Sequence, residues 1–286
     1  MRRGGLPRVL LLGDPKKGQV RRLLDGFLPW IEERSEVVGV CLDHEEDLTQ
    51  YEADLLFAFG GDGTILSAAR RLKRHQIPTL GINMGKLGFL AEATQESLRP
   101  VLEKALRGQL PEEQRLMLEC HPPGAEEAIL VLNDAVIHRG GYSSLVEVSV
   151  RIDDRYVTTY VGDGLIVATP VGSTAYSLAA GGPILSPEVD ALVLSPIAPH
   201  ALPVRPLVVP SSGRVTLEVE GRLGKEVGEL SIDGQVGVKA RGGDRIVLDI
   251  SPVRFRLLTL EEEDFYKILR RKFGWAGSPR YARKKR

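Results

Sequence analysis

The side chain in this sequence best placed to do chemistry is Asp62, a carboxylate set among Gly60, Gly61 and Gly63 and followed by Thr64. Glycines let a backbone turn sharply and come close to a ligand. Directly before them, Leu55 to Phe59 is a continuous apolar run of the kind found in a buried parallel strand. Thr64 then opens a helical pattern in which Ile65, Leu66, Ala69 and Leu72 share one face. Strand, glycine turn and helix start together make an anion site, because free backbone N–H groups and the positive end of the helix dipole face a phosphate. Gly60, Gly61, Gly63 and Thr64 are therefore the expected phosphate loop. A carboxylate in that turn repels a bare phosphate, so Asp62 has one of two tasks, holding a metal ion or taking a proton from a hydroxyl.

Three further stretches could carry chemistry. GINMGKLGFL, from Gly81 to Leu90, follows an expected strand, and at the carboxyl end of a parallel strand it would line a ligand crevice. A plain strand-to-helix connection with Leu87 and Phe89 in the core is the competing reading. Asn133-Asp134 interrupts the apolar pattern of ILVLNDAVIH. That pair offers donors and acceptors to a sugar, or else marks a bulge or a turn between two strands. GDGLIVATPVGSTAYSLAAGGPI, from Gly162 to Ile184, leads from a strand into a loop of small residues that permit close approach to a flat or charged ligand. Ser173 is the expected cap of a short helix through Tyr176 to Ala179.

Those stretches need a frame. The 286 residues suggest two domains, and the 43% hydrophobic content is enough to build their cores. In the first part, strands at Val9–Leu12, Val37–Leu42, Leu55–Phe59 and Thr79–Ile82 alternate with helices at Val20–Glu33, Thr64–Arg74 and Glu96–Leu106. Such alternation implies an α/β domain with a parallel, Rossmann-like sheet over residues 1–110. From 111 to 258 the pattern is β-rich, with strands at Leu116–Glu119, Ile129–His138, Leu145–Ile152, Arg155–Val161, Gly164–Ala168, Leu207–Val209, Val215–Val219, Glu229–Ile232 and Arg245–Ile250. Turn pairs such as Asp153-Asp154 and Asp233-Gly234 punctuate it, and two packed sheets are expected. Residues 259–286 hold a last helix, Glu261–Lys272, and a basic tail.

Composition removes several classes. Lys plus Arg number 38 and Asp plus Glu number 38, a balance that argues against a nucleic-acid binder. Cys41 and Cys120 lie far apart and read as reduced thiols in a cytoplasmic protein. No apolar segment is long enough to span a membrane. The five histidines show no metal-ligand spacing, and no metal ligand is assigned. There is no G-x-S-x-G elbow, no G-x-x-x-x-G-K-[ST] loop, and no G-x-G-x-x-G after the first strand.

Taken together, GGDGT, GINMGKLGFL, Asn133-Asp134 and DGLIVATPVGSTAYSLAAGGPI resemble the bacterial NAD kinases over nearly the whole chain. GGDGT alone is shared with diacylglycerol-type lipid kinases, whereas the block from Asp163 to Ile184 is more specific. The resemblance implies an α/β domain, a β-rich domain and a C-terminal segment that returns to the first. It implies transfer of the γ-phosphoryl of ATP, or of polyphosphate in some members, to the 2′-hydroxyl of the adenosine ribose of NAD. It further implies a divalent cation, usually magnesium, and a homodimer or homotetramer. Carried over by motif, Asp62 is the proton acceptor. Asp62, Gly63, Asn133, Asp134, Ser144, Asp163, Thr174, Ala175, Tyr176, Ser177, Leu178, Ala179 and Gln235 are the NAD contacts. Two positions depart from the family pattern: Val161 stands where an Arg is common, and Val171 where a hydroxyl is usual. A GGDGT-type lipid kinase and a catalytically silent NAD-binding sensor are the rival functions; the Asp163–Ile184 block opposes the first and the intact Asp62 the second.

Overall fold

The computed structural model describes residues 5–14, 18–43, 45–85, 88–94, 97–140, 145–260 and 264–275. Ser144 and the basic tail lie outside the described residues. Strands and helices alternate at first: β1 (Arg8–Gly13), α1 (Gly18–Glu32), β2 (Glu36–Cys41), β3 (Leu55–Gly60), α2 (Asp62–Arg71), β4 (Thr79–Asn83) and α3 (Leu98–Leu106), then β5 (Glu112–Arg115). Strands dominate afterwards: β6 (Leu118–His121), β7 (Ile129–Val131), β8 (Asp134–Arg139), β9 (Val146–Ile152), β10 (Arg155–Gly162) and β11 (Gly164–Ala168). A short helix α4 (Tyr176–Ala179) precedes β12 (Ala191–Ile197), β13 (Leu207–Pro210), β14 (Val215–Val219) and β15 (Glu226–Ile232). β16 (Val236–Arg241), β17 (Arg245–Ile250), β18 (Phe255–Leu258) and α5 (Phe265–Phe273) close the chain.

The first sheet has the order β2-β1-β3-β4-β18-β5. Its strands are parallel except for β5, which runs antiparallel to β18. Period-two alternation divides its apolar side chains between two layers. Leu10, Leu12, Leu56 and Ala58 pack with α2, while Val9, Leu11, Phe57 and Phe59 pack with α1 and α3. The C-terminal segment does return: β18 pairs with β4, and α5 sets Phe265 and Phe273 against Phe89 at ring separations of 6.4 and 6.1 Å. Sheet membership thus takes in two strands, β5 and β18, from the stretch 111–258.

The β-rich part is the expected pair of sheets, β10-β9-β14-β17-β6-β7 and β13-β12-β11-β8-β15-β16, both antiparallel. They share one core, to which β8 contributes Ala135 and Ile137. The alternate residues of β8, Asp134, Val136 and His138, point away from that core. Val136 joins a small outer cluster with Ile166, Ala168 and Val193, which Ala180 and Leu185 cover.

Three expectations need correction. Helix α2 starts at Asp62, not Thr64, with Gly61 as its cap residue. The run 129–138 is two strands in two different sheets, because the chain crosses from one sheet to the other at Leu132–Asn133. Ser173 caps nothing: Ala175 precedes α4, and the Ser173 hydroxyl donates to the Pro170 carbonyl at 2.6 Å and accepts from Leu185 N–H at 2.9 Å.

Candidate active site

Chain that leaves a sheet loses its ladder partners, and its buried amides need other acceptors. The loop after β4 is one such place. Asn83 N–H donates to Ala93 O at 2.7 Å and closes this loop at its base. The amides of Phe89, Leu90 and Ala91 donate to the Asp62 carboxylate, the first to Oδ2 at 2.8 Å, the others to Oδ1 at 3.0 and 3.1 Å. A carboxylate has about four acceptor positions. Three are taken, and the one left over lies on Oδ2. Since Asp62 is the first residue of α2, its charge also sits at the positive end of that helix.

The crossover between β7 and β8 is the second such place. Its amides go to Asp233: Leu132 N–H to Oδ2 at 3.1 Å, Asn133 and Asp134 N–H to Oδ1 at 2.7 and 3.1 Å. Its carbonyls go to Thr169, whose hydroxyl donates to Leu132 O at 2.6 Å and whose N–H donates to Asn133 O at 2.9 Å. Gly172 lies so close that a Cβ there would stand 2.1 Å from Asn133 O. Thr169 and Gly172 thus cradle the backbone at Asn133, while Pro170 and Val171 line a cleft. Val171, one of the departures from the family pattern, packs in the core with Leu90, Leu130 and Leu132.

Asp134 and Asp233 are both buried. Burial and the nearby Asp233 push Asp134 up to about 7. Burial pushes Asp233 up as well, and its three amide donors pull it back. The negative charge of the pair therefore belongs on Asp233, and Asp134 is the member that takes up the proton.

The turn Asp233-Gly234-Gln235 between β15 and β16 joins these two places. Asp233 and Gly234 are left-handed, at φ 50° and 63°. Gln235 reaches the other domain, donating from Nε2 to Gly63 O at 2.7 Å and accepting from Arg70 Nη1 at 2.8 Å. On one side of the turn a cleft of about 760 Å³ is lined by Asp14, Gly61, Gly63, Thr64, Arg70 and Gln235, among others. On the other side a cleft of about 560 Å³ is lined by Asn133, Asp134, Arg139, Asp163, Ala175 and Tyr176, among others, and Gly234 borders both. A third, of about 250 Å³, runs under α5 past Phe89, Leu90 and Thr174. Asp62 is bracketed by them: Gly61 and Gly63 line the first, and its amide donors Phe89 and Leu90 line the third.

Most of the expected contact residues thus collect around these clefts, with exceptions. Ser177 is fully buried and pairs with Ser195 at 2.8 Å between the hydroxyl oxygens, so its side chain is structural. Leu178 and Ala179 line none of the three clefts. Gly60 is buried in β3, where a Cβ would collide with Thr64, so steric need and not anion contact explains it. Sequence reasoning missed Asp233, although it sits beside Gln235 in SIDGQV. It also missed Arg139, whose Nε lies 3.1 Å from Asp163 Oδ1 and which lines the same cleft as Asp163.

A family model described as the ATP-NAD kinase N-terminal domain matches residues 32–110, and one described as the ATP-NAD kinase C-terminal domain matches residues 132–260. The NAD kinase of Geotalea daltonii is 42% identical over 257 residues, covering 88% of this chain and 90% of that one. The NAD kinase of Heliobacterium modesticaldum is 38% identical over 280 residues, covering 93% and 98%. Among solved structures, yeast NADH kinase complexed with NADH superposes with a TM-score of 0.84 at 26% identity, covering 98% of this chain and 91% of that one. An NAD kinase from Archaeoglobus fulgidus in complex with ATP gives a TM-score of 0.75 at 28% identity, covering 93% and 97%.

Proposed function

This chain belongs to the ATP-NAD kinase family, and we propose that its clefts bring the γ-phosphoryl of ATP to the 2′-hydroxyl of the adenosine ribose of NAD, with Asp62 as the proton acceptor. Phosphorylation of NAD to NADP, the family's activity, is this chain's activity. The rival readings, a lipid kinase and a silent sensor, have no support beside it.

One observation carries the assignment of the residues: Asp62, at a helix N-terminus, lies between the glycine-lined cleft that holds its neighbours Gly61 and Gly63 and the cleft under α5 that holds Thr174 and its amide donors Phe89 and Leu90, while the cleft of Asn133, Asp134, Asp163, Ala175 and Tyr176 meets the first at Gly234. Helix α2 has no side-chain cap and Thr64 N–H donates to Gly61 O, which leaves the Asp62 and Gly63 amides for the donor's phosphates. On the acceptor side Asn133 and Asp134 hold the adenosine end of NAD. Asp134, protonated in part near neutral pH, can donate to one sugar oxygen as well as accept. The free position on Asp62 Oδ2 takes the ribose hydroxyl proton. Phosphoryl transfer through a loose transition state asks chiefly for alignment, so an acceptor held by three amides is positioned first and basic second.

The divalent cation has no protein cage: no three His, Cys, Asp or Glu side chains converge among the described residues. Asp14 and Glu45 do line the donor cleft, and a magnesium ion that keeps its waters and rides on phosphate oxygens needs only one or two carboxylates. Bound there it would offset the charge on the phosphate chain. Buried free thiols at Cys41 and Cys120 support a reducing compartment, the cytoplasm. Leu202, Leu207 and Val208, exposed at and before the edge strand β13, support a homo-oligomer.

The test is a coupled assay of purified protein with ATP, magnesium and NAD, read by a strictly NADP-dependent dehydrogenase. NADP formation that stops when Asp62 becomes Asn is the expected result. NADP formation undiminished in that variant removes Asp62 from the role.

A further inference from the structure

Helix α2 presents a straight row to the donor cleft. Gly63, Ser67 and Arg71 follow at i, i+4 and i+8, one above the other on a single face. Such a row is about 12 Å long at 1.5 Å per residue. All three line the cleft.

The lower two end in polar atoms without partners. Ser67 Oγ and Arg71 Nη2 are buried and make no hydrogen bond, in residues only 5% and 7% exposed. Arg71 is held at its other end, where Nε donates to Glu46 O at 2.7 Å. Its neighbour Arg70 is tethered to Gln235 Oε1. Both tethers are to neutral oxygens, and neither arginine forms an ion pair among the described residues. Burial lowers the pKa of both. Unpaired buried donors are costly and scarce in native proteins, and a ligand that supplies acceptors is one of the few explanations for them. Asp14 and Glu45 share the wall, so the fitting ligand is an anion that arrives with part of its charge already shielded.

Resting on the reading of this cleft as the donor site, we infer that Ser67 and Arg71 are contact and specificity residues for the donor, gripping the phosphates that are not transferred. The transferred phosphoryl sits at the head of the row beside Asp62 and Gly63. The rest of the chain runs down the face of α2, where Ser67 and Arg71 supply the missing hydrogen bonds. Both residues therefore hold the donor before transfer and the diphosphate product after it, and neither touches NAD.

Steady-state kinetics of Arg71→Gln, Arg71→Lys and Ser67→Ala in the full chain test this, with MgATP and NAD varied separately and inhibition by MgADP measured. A charged hydrogen bond lost in Arg71→Gln raises KM for MgATP by about 10-fold or more, and weakens MgADP inhibition by a similar factor. KM for NAD stays within about twofold, and Arg71→Lys recovers part of the loss. Ser67→Ala raises the donor KM by about threefold. An unchanged donor KM in Arg71→Gln, or a KM for NAD that moves in step with it, overturns the inference. If Arg71→Gln does not fold, Ser67→Ala decides alone, since it removes only one oxygen from a helix. Failure of the unmutated chain to make NADP from MgATP would instead sink the donor-cleft reading itself.

Discussion

Asp62 and Asp233 do the same thing in two regions of the molecule. Each collects three consecutive amides from a segment that has left its sheet, 89–91 in one case and 132–134 in the other. They differ in what surrounds them. Asp62 is half-buried at a helix N-terminus between open clefts, while Asp233 is buried beside a second carboxylate. The same construction thus appears once open, around a half-buried carboxylate with an acceptor position to spare, and once sealed, around a buried one. Exposure, not bonding pattern, separates the two.

The largest expected effect comes from removing the sealed clamp. Asp233→Ala leaves three buried amides without an acceptor, at about 1 kcal/mol or more each, so unfolding free energy falls by roughly 3 kcal/mol or more. Denaturant unfolding measures it. Asp62→Ala should lose clearly less, because Asp62 is itself half-buried and water can take its place at the amides, whereas Asp233 is buried. Equal losses would break the distinction between the two carboxylates.

Next comes the open clamp. Asp62→Asn keeps most of the fold and the affinity for NAD but loses roughly 10²-fold or more in kcat, for want of a proton acceptor. Amide exchange at 89–91 should also quicken, since the Asn Nδ2 faces an N–H donor where Oδ1 or Oδ2 stood. Faster exchange with normal kcat would mean that Asp62 only positions the loop.

Two glycines sharpen the same contrast at lower cost. A Cβ on Gly172 meets the Asn133 backbone at 2.1 Å, so Gly172→Ala should cost roughly 1–3 kcal/mol of stability. A Cβ on Gly63 meets nothing nearer than Gln235 Nε2 at 3.6 Å. Gly63→Ala should leave Tm unchanged or raised, as expected of Ala in a helix, yet raise the donor KM about 10-fold by filling space meant for phosphate. An unaffected KM would remove Gly63 from the phosphate loop.

The sequence disclosed one clamp and hid the other for a physical reason. Asp62 lies among its own signals, an apolar strand, glycines and a helix face, all within twenty residues. Asp233 acts on residues 99 to 101 positions away, and nothing beside it announces that. Asn133-Asp134 was visible because two polar residues interrupt an apolar run, but only topology reveals that the interruption is a crossing between sheets. Missed strands follow the same logic. β5 reads Glu-Glu-Gln-Arg and lies at a sheet edge, where no apolar face is demanded. β12 contains Pro196, which argues against a strand, yet it lies inside its sheet. Ser177 counted as a ligand contact because it lies within the TAYSLA motif, whereas the helical turn rotates it toward Ser195.

The smallest expected effect concerns the group that Asp233 perturbs. Asp134 has its pKa raised in the folded chain, from an ordinary 3.8 to about 7. Between those values the native state binds a proton that the unfolded chain releases. This contribution to stability is complete below about pH 4 and is lost as pH rises through about 7. Asp134→Asn cannot titrate, so its unfolding free energy should vary less with pH in that window, by on the order of 1 kcal/mol, when urea melts at pH 5 and pH 8 are compared. Asp233→Asn, by removing the charge that helps hold the proton on Asp134, should shift the same transition toward lower pH. If instead both variants keep the full pH dependence of the parent, the proton resides elsewhere, and the sealed clamp has no electrostatic partner in Asp134.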